Sequence, residues 1–289
     1  MLRQKEKAAA VKEGAALRFL YNTVPGRVIL KPLASRAVSK ICGRFLDSRL
    51  SIPLIAPFVK KHGIDLDDYC CDGFKCFNDF FTRKIKDGKR PIDSDPDALI
   101  SPCDGLLSVY SVTDGTVIPI KQSRYTVSSL LGGDPVAEKF SDGICLVFRL
   151  CVDNYHRYCY IDDGIKLKSS FIAGKLHTVR PIALEKVPVF TENCREYTVI
   201  RTKNFGDAVQ IEVGAMLVGK IKNHHGAKKV KRGNEKGMFL YGGSTVVVLL
   251  QKDAVRLSDD VLDAAKKGVE LPVKMGCRIG QKIALNVYS

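Results

Sequence analysis

Gly242-Gly243-Ser244-Thr245 runs directly into Val246-Val247-Val248-Leu249-Leu250. The β-branched, apolar run reads as a buried strand, so a nucleophilic hydroxyl stands at its mouth behind two residues without side chains. Glycine accepts backbone dihedrals that a Cβ would strain. That suits a Gly243 carbonyl attacked by the hydroxyl of the very next residue. A β-bulge or hairpin turn uses the same tetrapeptide. A serine hydroxyl stays a weak nucleophile until a base takes its proton and an acidic partner orients that base. The chain also holds an aspartate before glycine, Asp104 in Pro102-Cys103-Asp104-Gly105, and a histidine, His156. An aspartate before glycine is equally a turn residue. Asp104, His156 and Ser244 together would also serve a serine hydrolase.

Several ordered segments accompany that site. They are Phe77-Asn78-Asp79-Phe80-Phe81-Thr82-Arg83, Pro102-Cys103-Asp104-Gly105, Tyr155-His156-Arg157, Val213-Gly214-Ala215-Met216-Leu217-Val218-Gly219 and Gly237-Met238-Phe239-Leu240-Tyr241-Gly242-Gly243-Ser244-Thr245. From about Phe74 to Gly280 the chain resembles the phosphatidylserine decarboxylases, which make their own cofactor by cutting themselves at a Gly-Ser bond. The resemblance implies that Ser244 Oγ attacks the Gly243 carbonyl and turns the amide into an ester. Elimination then leaves dehydroalanine, which hydrolyses to an N-terminal pyruvoyl group. A β chain (1–243) and an α chain (244–289) would remain together as a heterodimer. The pyruvoyl ketone condenses with the amine of phosphatidylserine and accepts the electrons released with CO2, giving phosphatidylethanolamine. Asp104 occupies the position of the family's charge-relay aspartate, and Thr245 can polarise the scissile carbonyl.

At one position the chain departs from that pattern. Family members commonly carry two histidines three residues apart, and the second is taken as the relay base. Here Asp153-Asn154-Tyr155-His156-Arg157-Tyr158-Cys159 keeps the first, His156, and puts Cys159 where the second is expected. A thiol with an ordinary pKa near 8.5 is mostly protonated at neutral pH and is a poor replacement for imidazole. Three solutions stay open: His156 does both jobs, Cys159 is a thiolate, or His177 reaches in from a neighbouring strand. His156 is the first expectation and His177 the second. For the lipid phosphate the candidates are Arg157, Arg180 and backbone N–H groups near the glycines.

The elements that must position these residues fall into two parts. Residues 1–95 read as a helical, membrane-surface-associated extension, and residues 96–289 as a mostly antiparallel β catalytic domain, an α+β chain. Pro32 reads as the start of a helix whose Ala34, Val38, Ile41, Cys42 and Phe45 share one face opposite Arg36, Lys40 and Arg44. Such a basic amphipathic helix either lies in an anionic headgroup region or packs on the domain with its charges solvated. Ile52 to Val59 is a second apolar segment, ending in Lys60-Lys61-His62-Gly63. Further on, Ile144 to Val152 is a strand candidate interrupted by Arg149. Tyr197–Ile200 and Ala208–Val213 flank a turn at Asn204-Phe205-Gly206-Asp207. His224-His225 lies in a basic, glycine-bounded loop and lacks a third ligand in the sequence, so no metal is expected. Ser258 caps a short helix.

The chain has 289 residues and a formal net charge of +15, from 46 basic against 31 acidic residues. That imbalance points to an anionic partner. No nucleic-acid motif accompanies it, which leaves an anionic membrane surface. No run of about 18 apolar residues exists to span a bilayer. Met1 to Lys7 lacks the apolar core of a signal peptide. The ten cysteines form no metal-type CxxC pair, and several sit in apolar runs, so they read as reduced. The expected location is peripheral, on the cytoplasmic face of the cell membrane. A non-cleaving basic membrane-binding homologue is the nonenzymatic alternative, and a homo-oligomer is left open.

Overall fold

The computed structural model describes residues 15–71, 73–113, 117–120, 123–179, 181–184, 187–215, 220–224, 226, 228–241 and 244–283. An eight-stranded antiparallel sheet organises the chain. Its order is Lys229–Val230 (β11), Gly164–Ile172 (β7), Arg195–Thr202 (β8), Asp207–Val213 (β9), Ser244–Leu250 (β13), Ile144–Leu150 (β5), Gly105–Ser111 (β2) and Leu271–Val273 (β15). A small sheet of Ile221–Asn223 (β10), Glu235–Phe239 (β12) and Arg157–Cys159 (β6) lies on one face, beside a second of Ala98–Ile100 (β1), Arg278–Lys282 (β16) and Val255–Leu257 (β14). Val117–Ile120 (β3) and Ser123–Thr126 (β4) form a separate hairpin. The α+β architecture is the one expected.

Strand β13 lies between β5 and β9 and is buried along its whole length. Val246, Val248 and Leu250 face the small sheets, with Leu146, Phe148 and Leu150 of β5. Val247 and Leu249 face the other side, against Cys145, Val147, Val209 and Ile211. A strand covered on both faces has no polar side, which is why this run is continuously apolar. Arg149 interrupts β5 without cost to that pattern because its Nε donates to Glu270 Oε1 at 2.9 Å and its Nη2 pairs with Oε2. The β8–β9 hairpin turns where expected, with Gly206 at φ 68°.

The N-terminal helices differ from expectation in one detail. Pro32 lies inside α2 (Val24–Leu33), which follows α1 (Ala15–Asn22), and a new helix, α3 (Arg36–Leu46), begins after Ser35. The Ser35 hydroxyl accepts from Val38 N at 3.3 Å and caps α3, so Ala34 belongs to the preceding C-cap and is off the α3 face. A 3-10 turn, Arg49–Leu54, then leads into α4 (Ile55–His62), which stops at Gly63 in the left-handed region. Tyr21 and Leu30 are buried in the same core as Val247 and Leu249. Leu46 packs with the phenylalanines of α5 (Phe77–Phe81). Among the described residues, nine of the fourteen large hydrophobics left exposed lie between Phe19 and Leu54, so exposed apolar surface is concentrated there. No helix among them is long and apolar enough to cross a membrane.

Candidate active site

Ser244 is the first residue of β13 and is 1% exposed. It stands opposite Leu150, and cross-strand partners share a face, so its side chain points toward the small sheets. Its Oγ has no hydrogen-bond partner among the described residues, and neither has the Oγ1 of Thr245, which points the other way. Each buried, unpaired hydroxyl costs about 1–3 kcal/mol, so two in succession mark a place where stability has given way to something else. Gly242 and Gly243 lie outside the described residues, and Arg180 and His225 do too.

Helix α5 positions the segment that ends at Tyr241. Asn78 Oδ1 accepts from Tyr241 N at 3.0 Å, and the Tyr241 ring meets Phe77 and Phe81 edge-on at 5.0 and 5.1 Å. The Phe81 ring lies 3.9 Å from the ring of His156. One short helix therefore fixes both the chain entering Gly242 and the imidazole. His156 is fully buried, and its main-chain oxygen accepts from Phe239 N at 2.9 Å, on the same side of the large sheet as the Ser244 side chain. Its Nδ1 is 2.9 Å from the Asn154 carbonyl. A carbonyl only accepts, so we assign the proton to Nδ1, which leaves Nε2 with its lone pair.

Asp104 sits just before β2, and its carboxylate is engaged with a different set of groups. Arg90 donates to it from Nε (2.9 and 3.1 Å) and Nη2 (2.7 Å), and Met275 N adds a bond at 2.9 Å. His177 is on the opposite side of the sheet. Its Nδ1 is 3.4 Å from the hydroxyl of Tyr21, which belongs to the Val247–Leu249 core, and its Nε2 is 3.6 Å from Glu192. Burial pulls its pKa below the ordinary imidazole value. Cys159 is fully buried, and burial pushes its thiol up to about 12, which keeps it protonated at neutral pH. Arg157 is committed to Glu235 at 2.9 Å and to the Thr82 carbonyl at 2.8 Å. His224 pairs with the same Glu235 at 2.7 Å. All ten cysteines are free thiols.

The profile of the phosphatidylserine decarboxylase family matches residues 77–281. The chain belongs to that family. Phosphatidylserine decarboxylase relatives cover it almost end to end. The "Phosphatidylserine decarboxylase proenzyme 2" of Clostridium acetobutylicum is 47% identical over 266 residues, 92% of this chain and 91% of the relative. A "Phosphatidylserine decarboxylase proenzyme" of Clostridium kluyveri is 40% identical, covering 92% of each chain. One from Clostridium botulinum (strain Langeland) is 41% identical over 96% of this chain and 95% of its own. Membership makes the protein a carboxy-lyase.

Two features of this phosphatidylserine decarboxylase site escape sequence reading. One is Arg83, 2% exposed, which donates from Nη2 to the Asp153 carbonyl at 3.2 Å and lies 4.2 Å over the Tyr69 ring. The other is a buried cluster in which Lys236 Nζ and Asn223 Nδ2 both bond Glu212 Oε2. Glu212 alternates with apolar residues in β9 and resembles a solvated position. The signal was in the neighbour: a strand beside the wholly apolar β13 is covered on both faces, so its polar positions must find buried partners.

Proposed function

We propose that the chain is a proenzyme that cuts itself between Gly243 and Ser244 and then decarboxylates phosphatidylserine to phosphatidylethanolamine and CO2. The observation that carries this reading is the Ser244 hydroxyl, enclosed and without a bonded partner among the described residues at the start of the central strand. Among the described residues Ser244 Oγ has no hydrogen bond to give up before it acts as a nucleophile, and its enclosure suits a reactive group generated in place. The relatives' printed names contain the word proenzyme, which agrees.

Attack by Oγ forms an ester and frees the Ser244 nitrogen. Elimination then breaks the Cβ–Oγ bond, leaving Gly243 as a carboxylate. Water replaces the nitrogen, which departs as ammonia. The resulting pyruvoyl ketone supplies the electron sink for the bond that loses CO2. His156 holds its ring against Phe81 and can move a proton at Nε2. Asp104 ties Arg90 and Met275 together across the cut, one in each fragment. The Arg149–Glu270 pair does the same. With β13 between β5 and β9, the small fragment is woven into the large sheet, which supports a permanent heterodimer.

Docking on an anionic membrane is the second part of the proposal. Val24, Val28, Ile41 and Leu50 stand exposed among Arg27, Lys31, Lys40 and Arg49. Apolar side chains beside basic ones suit an interfacial helix. Intact mass tests the central claim. The expected result is two species, with the smaller one starting at residue 244 behind a blocked terminus. Ser244→Ala should give one uncut, inactive chain. A small fragment with a free serine terminus would mean ordinary proteolysis and overturn the reading.

A further inference from the structure

Arg83 follows α5 and its C-cap, Thr82, and its amide bonds back to the Phe80 carbonyl at 3.1 Å. The side chain is enclosed, with the guanidinium carbon 4.2 Å from the centre of the Tyr69 ring and 5.2 Å from that of Phe80. Nη2 donates to two successive carbonyls, Asp153 at 3.2 Å and Asn154 at 3.5 Å. The Asn154 carbonyl is also the one that accepts from His156 Nδ1 at 2.9 Å. Guanidinium and imidazole therefore share one oxygen. Asn154 is itself pinned: its Oδ1 accepts from Cys151 N at 2.7 Å, and its N donates to the Cys151 carbonyl at 3.0 Å. Among the described residues Nε and Nη1 of Arg83 have no hydrogen-bond partner, and no carboxylate pairs with the guanidinium. The neighbouring cations are neutralised, Arg90 by Asp104 and Arg157 by Glu235. Those four charges and Arg83 bear on the tyrosines at this place: Arg83, Asp104 and Arg90 on Tyr69, and Arg157, Glu235 and Asp104 on Tyr155. A buried charge held only by ring faces and carbonyls is costly, so its presence asks for a use.

We propose that Arg83 is a positioning residue for His156, holding the carbonyl on which the imidazole rests and setting an unneutralised positive charge beside the ring. The inference rests on the reading above in which His156 moves a proton at Nε2. Phe81 lies against the ring from within α5, and Arg83, two residues on, secures the Nδ1 edge through Asn154. One short stretch of chain therefore fixes both the orientation of the imidazole and its tautomer. The charge has a second effect. A nearby cation disfavours the imidazolium form, and enclosure keeps solvent from screening it. Nε2 therefore stays unprotonated to lower pH than it would beside a neutral side chain at position 83. That leaves it ready to accept a proton near neutral pH.

The test reads His156 directly. Full-length chain carrying Ser244→Ala, so that every variant is in the same uncut state, is labelled at its histidines. The imidazole Cε1–H signal is followed by NMR from about pH 4 to about pH 9, either side of the ordinary imidazole value. His156→Gln identifies the signal among those of the five histidines. Arg83→Met should move its midpoint up by about one pH unit, the low end of what a neighbouring charge does. Arg83→Lys keeps the charge and loses the fork, and should titrate near the wild type. In chains that keep Ser244, decarboxylation of phosphatidylserine in mixed micelles is read per cut molecule, with thermal melting as the fold control. Arg83→Met should lower kcat about tenfold and leave KM unchanged, as expected of a group acting on the chemical step, and Arg83→Lys should recover part of the loss. An unmoved midpoint in a folded Arg83→Met chain overturns the inference. So does a raised KM with kcat kept, which would make Arg83 a ligand for the lipid's own anionic groups. An active His156→Gln chain sinks the underlying reading of His156, a result distinct from an unmoved titration.

Discussion

Cys159 and His177 show how much of a side chain's chemistry is set by where it is enclosed. Cys159 carries a thiol whose pKa is about 12 because no cation offsets its burial. Cys159→Ser should therefore cut at the wild-type rate. In the native protein, alkylation should label the exposed Cys70 and Cys71 and spare Cys159. Labelling of native Cys159, or a folded but uncut serine variant, would return the thiol to the list of bases. His177→Ala should likewise leave the cut intact, since its ring faces Tyr21 and Glu192 across the sheet from Ser244. Its measurable loss should be in melting temperature, because Asn193 bonds the His177 main chain and Gly214 in one network and Tyr21 packs against the ring.

At the scale of elements, pairing across the sheet is reinforced by charged ties on its rim. Asp134 accepts from Lys168 Nζ on β7 and from the Tyr197 hydroxyl on β8, both at 2.6 Å, and from Val136 N at 3.0 Å. Lys168, then Tyr197, then the Val136 amide hold its pKa down at about 2. A carboxyl depressed on folding adds stability that is fully present above its unfolded pKa of about 3.9 and is lost as pH falls through the folded value. Acid melting followed from about pH 5 down to about pH 2 should therefore be steeper for the wild type than for Asp134→Asn. Parallel curves would show that this carboxylate is not coupled to folding. The α5 helix acts at the same scale, because Asn78, Phe77 and Phe81 set both the approach to Gly242 and the seat of His156.

For the whole molecule, charge and exposed apolar surface together bear on how the enzyme meets lipid. A net charge of +15 by itself predicts binding that salt screens, each basic residue near an anionic surface contributing on the order of 1 kcal/mol. The exposed apolar side chains between Phe19 and Leu54 alter that expectation. Apolar burial contributes roughly 25 cal/mol per Å² and is not screened. Sedimentation with anionic vesicles should weaken as salt rises yet keep a salt-resistant remainder. Ile41→Asp/Leu50→Asp should remove that remainder without changing the melting temperature. Binding abolished by salt alone in the wild type would leave electrostatics as the whole of the attraction.

Residue types and their order were enough to single out Ser244 as a candidate, the strand it opens and the α+β class. A hydroxyl after two glycines and before five apolar residues is a local pattern, and β-branched runs report burial without knowledge of their neighbours. The same local reading placed the start of a helix at Pro32, because it saw the apolar spacing but not that the Ser35 hydroxyl would cap a new helix. Period-two alternation shows that Gln210 and Glu212 share a side of β9. It is silent on whether that side meets water or a second sheet. Only the strand order, with β13 beside β9 and the β10–β12–β6 sheet laid over both, buried Glu212 against Lys236. Only the register turned Ser244 toward the small sheets and left His177 on the far face. Those decisions belong to contacts between distant parts of the chain, where burial sets which groups must be paired and which can carry a proton.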